Sequence, residues 1–198
     1  MARIFNEQKL VIASSNSKKI EEFKQILEPR GIKVLSSNDF ADLPEVEETG
    51  FTYLENAFLK AHAVAQHLNL PVLADDSGLN VPARPDVLAV KTARWIKQNG
   101  GAEQALKLLE GLMDGKDKSA CLVCALVIVW PDGHHEFVIG EAEGSLTFPA
   151  REGRQFGVDP VFVPEGETRA FSEMSLEEKE ALSHRGKAVA ALLKKCFR

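Results

Sequence analysis

The chain has 198 residues, of which 44% are hydrophobic and 27% are charged, and its formal net charge is −5. This composition is typical of a folded globular protein rather than a disordered one, and the length suits a single domain. The acidic balance argues against duplex nucleic acid as the main partner, because such proteins need a basic face to neutralise phosphates.

The hydropathy pattern predicts a protein without a secretory signal or a membrane partner. The longest apolar stretch, Ala120 to Trp130, has 11 residues, whereas a membrane helix needs about 20. The chain has 3 cysteines without the spacing of a disulfide framework, which favours a reducing compartment. We therefore predict a cytoplasmic location.

The first half of the chain alternates predicted strands and helices. Strands are expected over 10–14, 32–35 and 72–74, and helices over 17–28 and from Thr52 to the residue before Pro71. Thr52 and Glu55 have the spacing of a capping box, which begins the second helix. This alternation favours parallel strands covered by helices.

The second half contains a long predicted hairpin. Its strands are expected over 119–130 and 136–143, after a helix from Gly100-Gly101 to about Leu109 and before two terminal helices capped by Ser175 and Ser183. A Pro-Asp-Gly-His sequence joins the two strands, and such residues favour a tight turn. Together the halves predict an α/β protein with a mixed sheet flanked by helices, in one domain over 1–198. A separate hairpin lobe around 119–145 stays open as an alternative.

Two predicted helices begin with cations, at positions where acidic residues are preferred. The segment Ser14–Lys19 reads SSNSKK, and the segment Ser183–Lys187 reads SHRGK. Free N–H groups and the helix dipole make a helix start a binding site for anions. Either segment alone is consistent with an ordinary cap beside surface cations. Their recurrence indicates phosphate binding.

Adjacent carboxylates, Asp75 and Asp76, follow the strand predicted over 72–74 and precede Ser77 and Gly78. Such a pair suits a divalent cation that is held by few protein ligands and several waters. Neighbouring like charges also raise one pKa, which suits a general base. Which aspartate is base and which is ligand stays open, and a polar turn is the structural alternative.

Other segments offer weaker signals. The glycine-flanked loop over 153–160 presents Phe156 and Asp159, which suit stacking on a base and hydrogen bonding to its edge. A phenylalanine packed into the core is the alternative. Asn56 and Lys60 share one helix face and are candidates for phosphate contact.

Cys121 and Cys124 form a CxxC sequence within a predicted strand. Because side chains alternate along a strand, residues three apart point to opposite faces and cannot hold one metal together. We interpret them as structural cysteines.

Five segments in this order carry a resemblance to a known family: IASSNSKKIEEFKQIL, EETGFTYLENAFLKA, LADDSGLNV, FGVDPVF and EEKEALSHRGKA. From about Leu10 to Leu193 the chain resembles the inosine triphosphate pyrophosphatase family. The resemblance implies an elongated mixed sheet and two lobes with an active-site cleft between them. It also implies Mg²⁺-dependent hydrolysis of ITP, dITP and XTP to nucleoside monophosphate and pyrophosphate, which removes them from the nucleotide pool. A homodimer is a further implication.

The resemblance also implies a role for each matching residue. Triphosphate binding would involve Ser14, Ser15, Asn16, Ser17, Lys18, Lys19 and Lys60. The attacking water and Mg²⁺ would be handled by Asp76, with Glu47 as a second metal ligand, Asp75 in support and Ser77 beside the substrate. A base pocket that selects a 6-keto purine over adenine would consist of Phe156, Gly157, Val158, Asp159, Lys179, His184 and Arg185.

The chain departs from the family pattern at three places. Ser14-Ser15-Asn16 stands where TGN is common, Val158 replaces an aromatic residue, and the segment over 82–94 lacks the usual glycines and tyrosine. Two rival functions therefore stay open: a magnesium phosphomonoesterase, and a nucleotide-binding module without catalysis.

Overall fold

The computed structural model describes residues 2–14, 16–154 and 156–197, apart from the side chain of Lys18. Within these residues the chain forms six strands and six α-helices. The strands are β1 (Lys9–Ile12), β2 (Lys33–Ser36), β3 (Val72–Asn80), β4 (Ser119–Val129), β5 (His135–Leu146) and β6 (Phe162–Pro164). The helices are α1 (Ser17–Leu27), α2 (Tyr53–Leu68), α3 (Thr92–Gln98), α4 (Ala102–Leu112), α5 (Leu176–Leu182) and α6 (His184–Cys196).

The strands form one mixed sheet in the order β2-β1-β3-β4-β5-β6 across the described residues. Strand β1 pairs in parallel with both β2 and β3, whereas β5 and β6 are antiparallel. The predicted α/β class with a mixed sheet is confirmed. No described helix combines the length and the apolar character that a bilayer crossing requires.

The chain divides into two compact units. Unit 1 consists of Met1–Asp76, Ala125–Ile139 and Ala190–Arg198, and unit 2 of Ser77–Cys124 and Gly140–Val189. Both strands of the predicted hairpin contribute residues to both units.

Unit 1 is organised around the short strand β1, whose residues Leu10, Val11 and Ile12 are buried. Helix α1 buries Phe23 and Leu27 on the helical spacing expected from the sequence. Helix α2 begins with the predicted capping box, in which the Thr52 side chain accepts from the Glu55 N–H and the Glu55 carboxylate accepts from the Thr52 N–H. These elements carry the first group of site residues.

Unit 2 has its own apolar core, in which the rings of Phe162 and Phe171 lie 5.2 Å apart. Trp95 and Ile96 of α3 pack against this core. The sequence predicted neither α3 nor β6, because elements of seven and three residues are too short to show a clear hydrophobic period.

Strand β3 is longer than predicted, and this corrects the prediction that it ends at Ala74. It continues to Asn80, so the Asp-Asp-Ser-Gly sequence lies inside a strand and not in a turn. Hydrogen bonds to a later segment of the chain fix the end of the strand. The Leu79 N–H donates to Thr92 Oγ1, and the Leu79 carbonyl accepts from the Ala89 N–H. Asp and Gly have low strand propensity, so the sequence indicated a turn that these tertiary contacts override.

Candidate active site

The acidic pair lies on β3 where that strand extends past its neighbour. Strand β1 pairs with β3 only as far as Ile12, opposite Leu73. Asp75 and Asp76 follow, and because consecutive residues of a strand face opposite sides, their carboxylates point in different directions. Asp75 is 7% exposed. The side chain of Asp76 is 11% exposed.

Each carboxylate has a separate set of partners within unit 1. Lys19 Nζ of α1 donates to Asp75 Oδ2 at 2.6 Å. Asn56 Nδ2 of α2 donates to Asp76 Oδ2 at 3.1 Å, and Lys60 Nζ lies 4.0 Å from Asp76 Oδ1. The structure therefore places Lys19 beside Asp75 and Lys60 near Asp76, and it adds Asn56 as a direct partner of Asp76. The phosphate, metal and water roles of these residues stay predictions.

The segment before α2 supplies a further carboxylate. Lys60 Nζ donates to Glu48 Oε1 at 2.7 Å, while Glu47, the predicted metal ligand, is exposed. The role of Glu47 stays a prediction. The sequence offered no reason to prefer either member of the Glu47-Glu48 pair, because the direction of each side chain in an irregular segment is set by tertiary contacts.

The loop before α1 has the geometry of a helix start. Ser14 Oγ accepts from the Asn16 N–H at 3.2 Å, and the Asn16 carbonyl accepts the Ile20 N–H. Ser17 is exposed and opens a first turn without acidic residues. Ser15 and the side chain of Lys18 lie outside the described residues, so their predicted phosphate contacts stay predictions.

Unit 2 carries a second group of predicted site residues. Lys179 Nζ of α5 lies 2.5 Å from Asp159 Oδ2, and the rings of Phe156 and Phe171 lie 5.4 and 5.8 Å from the same ammonium. Burial raises the pKa of Asp159, although the charges of Lys179 and Arg185 act in the opposite direction. Phe156 is 45% exposed.

The neighbouring residues of the predicted base pocket differ in exposure. Val158 is buried, whereas Gly157 is partly exposed and adopts a positive φ of 56°. Ser77, predicted to lie beside the substrate, is partly buried on β3 and is the first residue of unit 2.

The corner between α5 and α6 depends on a glycine. Ser183 Oγ accepts from the Gly186 N–H at 3.0 Å, which confirms the predicted cap and places His184 and Arg185 in the first turn of α6. A Cβ on Gly186 would lie 1.8 Å from the Glu180 carbonyl oxygen. Any side chain at position 186 would therefore displace the turn that carries His184 and Arg185.

Two further glycines position site residues through close backbone contacts that the sequence did not predict. A Cβ on Gly140 of β5 would lie 2.1 Å from the His184 carbonyl oxygen, and one on Gly153 would lie 2.2 Å from the Ser172 carbonyl oxygen. The Arg154 N–H also donates to that Ser172 oxygen, which fixes the start of the Phe156 loop. A glycine inside a predicted strand signals close backbone approach. The sequence therefore contained a signal for the close contact of Gly140, which lies in the strand predicted over 136–143, but none for that of Gly153.

Within the described residues no group of three or more His, Cys, Asp or Glu side chains is arranged to hold a metal ion by itself. The CxxC cysteines lie on β4 as expected, and burial together with Glu143 raises the pKa of Cys121 to about 12. Any metal bound near Asp76 would therefore depend on a few carboxylates plus oxygen atoms from water or substrate.

Comparison with known proteins gives consistent matches over nearly the whole chain. The sequence model of the Ham1 family matches residues 10–195. A dITP/XTP pyrophosphatase of Ruegeria pomeroyi is 41% identical, with 100% of this chain and 99% of that protein covered. The Ham1 protein of Staphylococcus aureus superposes with a TM-score of 0.86 at 34% identity, covering 94% of this chain and 96% of that one. A HAM1 protein from Coxiella burnetii gives a TM-score of 0.88 at 31% identity, covering 95% and 98%.

Proposed function

The chain belongs to the Ham1 family, and we propose that it hydrolyses non-standard purine nucleoside triphosphates, such as ITP, dITP and XTP, to nucleoside monophosphate and pyrophosphate. The name of the Ruegeria pomeroyi relative, dITP/XTP pyrophosphatase, supports this substrate class. The structural observation that carries the proposal is the cluster on β3, where two largely buried carboxylates stand against Lys19 and Lys60. Carboxylates and ammonium groups on neighbouring residues of one unit suit a metal-bound polyphosphate.

The donor atoms of unit 1 fit Mg²⁺, which prefers oxygen ligands and usually takes one or two carboxylates together with substrate phosphates. Asp76 would hold it, with Glu48 or the predicted Glu47 as a second carboxylate. When bound, this cation neutralises charge on the phosphate oxygens.

The residues of unit 1 act on the triphosphate. Asp76 orients a water molecule and accepts its proton, and the water oxygen forms a bond to the α-phosphorus. The bond between the α-phosphorus and the bridging oxygen breaks, so pyrophosphate leaves. Lys19, Lys60 and the N–H groups at the start of α1 neutralise charge on the phosphates. Positioning and electrostatics supply most of the catalysis in such a transfer.

The residues of unit 2 act on the base. Phe156 offers a ring for stacking, and Lys179 offers only donors. The C6 oxygen of hypoxanthine or xanthine accepts a hydrogen bond from an ammonium group, whereas the C6 amino group of adenine does not. Asp159 holds Lys179 in place for this contact.

A substrate panel tests the proposal. ITP, XTP, dITP, ATP and GTP are incubated with the protein and Mg²⁺, and pyrophosphate and orthophosphate are both measured. The proposal expects pyrophosphate from ITP, XTP and dITP in preference to ATP. Orthophosphate as the first product would support a phosphomonoesterase instead. Binding of ITP without any product would support a nucleotide-binding module.

The homodimer and the cytoplasmic location stay predictions. Light scattering coupled to size-exclusion chromatography measures the mass of the assembly directly, and a mass near 21.8 kDa would contradict the dimer.

A further inference from the structure

Asn56 is a polar side chain with no exposed surface, in the first turns of α2. A buried amide is costly unless its donor and acceptor are both satisfied. The partners of Asn56 therefore indicate why an amide stands at this position.

The two ends of the amide contact different parts of unit 1. Asn56 Nδ2 donates to Asp76 Oδ2 at 3.1 Å. Asn56 Oδ1 accepts from the Gly50 N–H at 2.8 Å. One side chain thus connects the carboxylate on β3 with the acidic segment that contains Glu47 and Glu48.

The backbone of Gly50 lies close to both Asn56 and Glu55 of α2. A Cβ at position 50 would lie 2.7 Å from Asn56 Oδ1 and 2.7 Å from Glu55 Cβ. The backbone of the acidic segment therefore approaches α2 as closely as a glycine permits, and Asn56 sets the position of that approach.

Lys60 cannot take the place of Asn56 in holding the carboxylate of Asp76. Its ammonium donates to Glu48 at 2.7 Å but lies 4.0 Å from Asp76 Oδ1, beyond hydrogen-bond length. Its stem also has four rotatable carbons, whereas the amide of Asn56 is held by two hydrogen bonds and by burial.

We propose that Asn56 is a positioning residue, which fixes the carboxylate of Asp76 and holds the Glu47–Gly50 segment in register with it. The inference rests on the proposed function, since Asp76 is the group that handles the attacking water. The amide has a donor and an acceptor on two separate atoms of one short side chain, so it reaches the carboxylate with one and the Gly50 N–H with the other.

The test compares Asn56→Leu with a matched control on the same helix, Thr52→Ala, which removes the α2 cap without touching Asp76. For Asn56→Leu the kcat for pyrophosphate release from ITP is expected to fall about 10- to 100-fold, the usual effect of losing a supporting hydrogen bond. Its KM is expected to stay within about threefold, because the phosphate and base contacts are unchanged. Thr52→Ala is expected to keep the kcat of the wild type at a temperature where both variants are folded.

Hydrogen exchange of the Gly50 amide, followed by NMR, gives a second result that does not depend on turnover. It is expected to be slow in the wild type and in Thr52→Ala, and fast in Asn56→Leu. A wild type that releases no pyrophosphate would overturn the proposed function, while this exchange would still test the link between Asn56 and Gly50.

Equal kcat values for Asn56→Leu and Thr52→Ala would overturn the positioning role. So would a Gly50 amide that stays protected in Asn56→Leu. If Asn56→Leu does not fold, Asn56→Ser, which is smaller and too short to reach both partners, is measured in its place with the same expectations.

Discussion

The ammonium of Lys19 lies 2.6 Å from the carboxylate of Asp75, and the two side chains are 20% and 7% exposed. Lys19 stands in the first turn of α1, where the helix dipole disfavours a cation. Asp75 offsets that cost in the protein without substrate. Lys19 therefore compensates a buried carboxylate, and the proposed function gives it a second role, contact with a substrate phosphate.

Lys19→Ala is expected to raise the KM for ITP about tenfold, the scale of one lost ionic contact. It is also expected to lower the free energy of unfolding by about 2 kcal/mol, somewhat less than for a fully buried pair because Lys19 is partly exposed. Urea denaturation and steady-state kinetics measure the two effects. The double variant Lys19→Ala/Asp75→Asn is the control, and it should recover stability without recovering KM. An unchanged KM would place Lys19 outside the phosphate site.

Asp76→Asn is expected to lower kcat about 100-fold or more, because the amide cannot accept the proton of the attacking water. Binding of a non-hydrolysable ITP analogue, measured by calorimetry, should persist in this variant, since Lys19 and Lys60 remain. Turnover near the wild-type rate would exclude Asp76 as the base.

Lys179→Met is expected to reduce the preference for ITP over ATP, expressed as the ratio of kcat/KM values, about tenfold or more. The reason is that the variant loses the donor to the C6 oxygen. Lys107→Met on α4 is the control, because Lys107 is exposed and its ammonium pairs with Glu103 on the same helix. An unchanged ratio in Lys179→Met would remove Lys179 from base selection.

Ala89 adopts a left-handed conformation with φ of 61°, which disfavours any side chain. Ala89→Gly is expected to stabilise the protein by about 0.5–1 kcal/mol, the penalty of a Cβ in this region less the entropy cost of glycine. Ala190→Gly, at an exposed position inside α6, is the control in which the same substitution should have the opposite effect. It should destabilise the protein by about 1 kcal/mol, because glycine disfavours a helix. Thermal unfolding of both variants measures the difference, and a lower Tm for Ala89→Gly would contradict the strain.

Glu136 of β5 provides a pH-dependent contribution to stability. Burial opposes its ionisation, but hydrogen bonds from Lys195, the Arg3 N–H and His134 lower its pKa from 4.5 to about 2. Because the pKa is lowered in the folded state, the stabilisation is fully present above pH 4.5 and is lost as the pH falls toward the folded pKa. The difference in Tm between the wild type and Glu136→Gln should therefore shrink across that acidic range. A difference that stays constant would contradict this contribution.

Local sequence signals predicted the elements with strong periodicity or caps. The capping boxes at Thr52 and Ser175, and the cap at Ser183, are all present in the structure, because a cap is a contact between residues close in sequence. The alternating first half and the hairpin likewise predicted a mixed sheet.

Features that depend on distant contacts were not predictable in the same way. The extension of β3 through Asp75 and Asp76 depends on Ala89 and Thr92, which pair with its far end. The connection of Asn56 with Asp76 joins residues 20 positions apart. A single sequence shows that both residues are polar but does not show that they meet.

The most direct test of the proposed reaction is hydrolysis of ITP in water enriched in ¹⁸O, with mass spectrometry of both products. Attack on the α-phosphorus places the label in the nucleoside monophosphate and leaves pyrophosphate unlabelled. Label in pyrophosphate or orthophosphate, with an unlabelled monophosphate, would mean that the water attacks another phosphorus atom and would contradict the reaction assigned to Asp76.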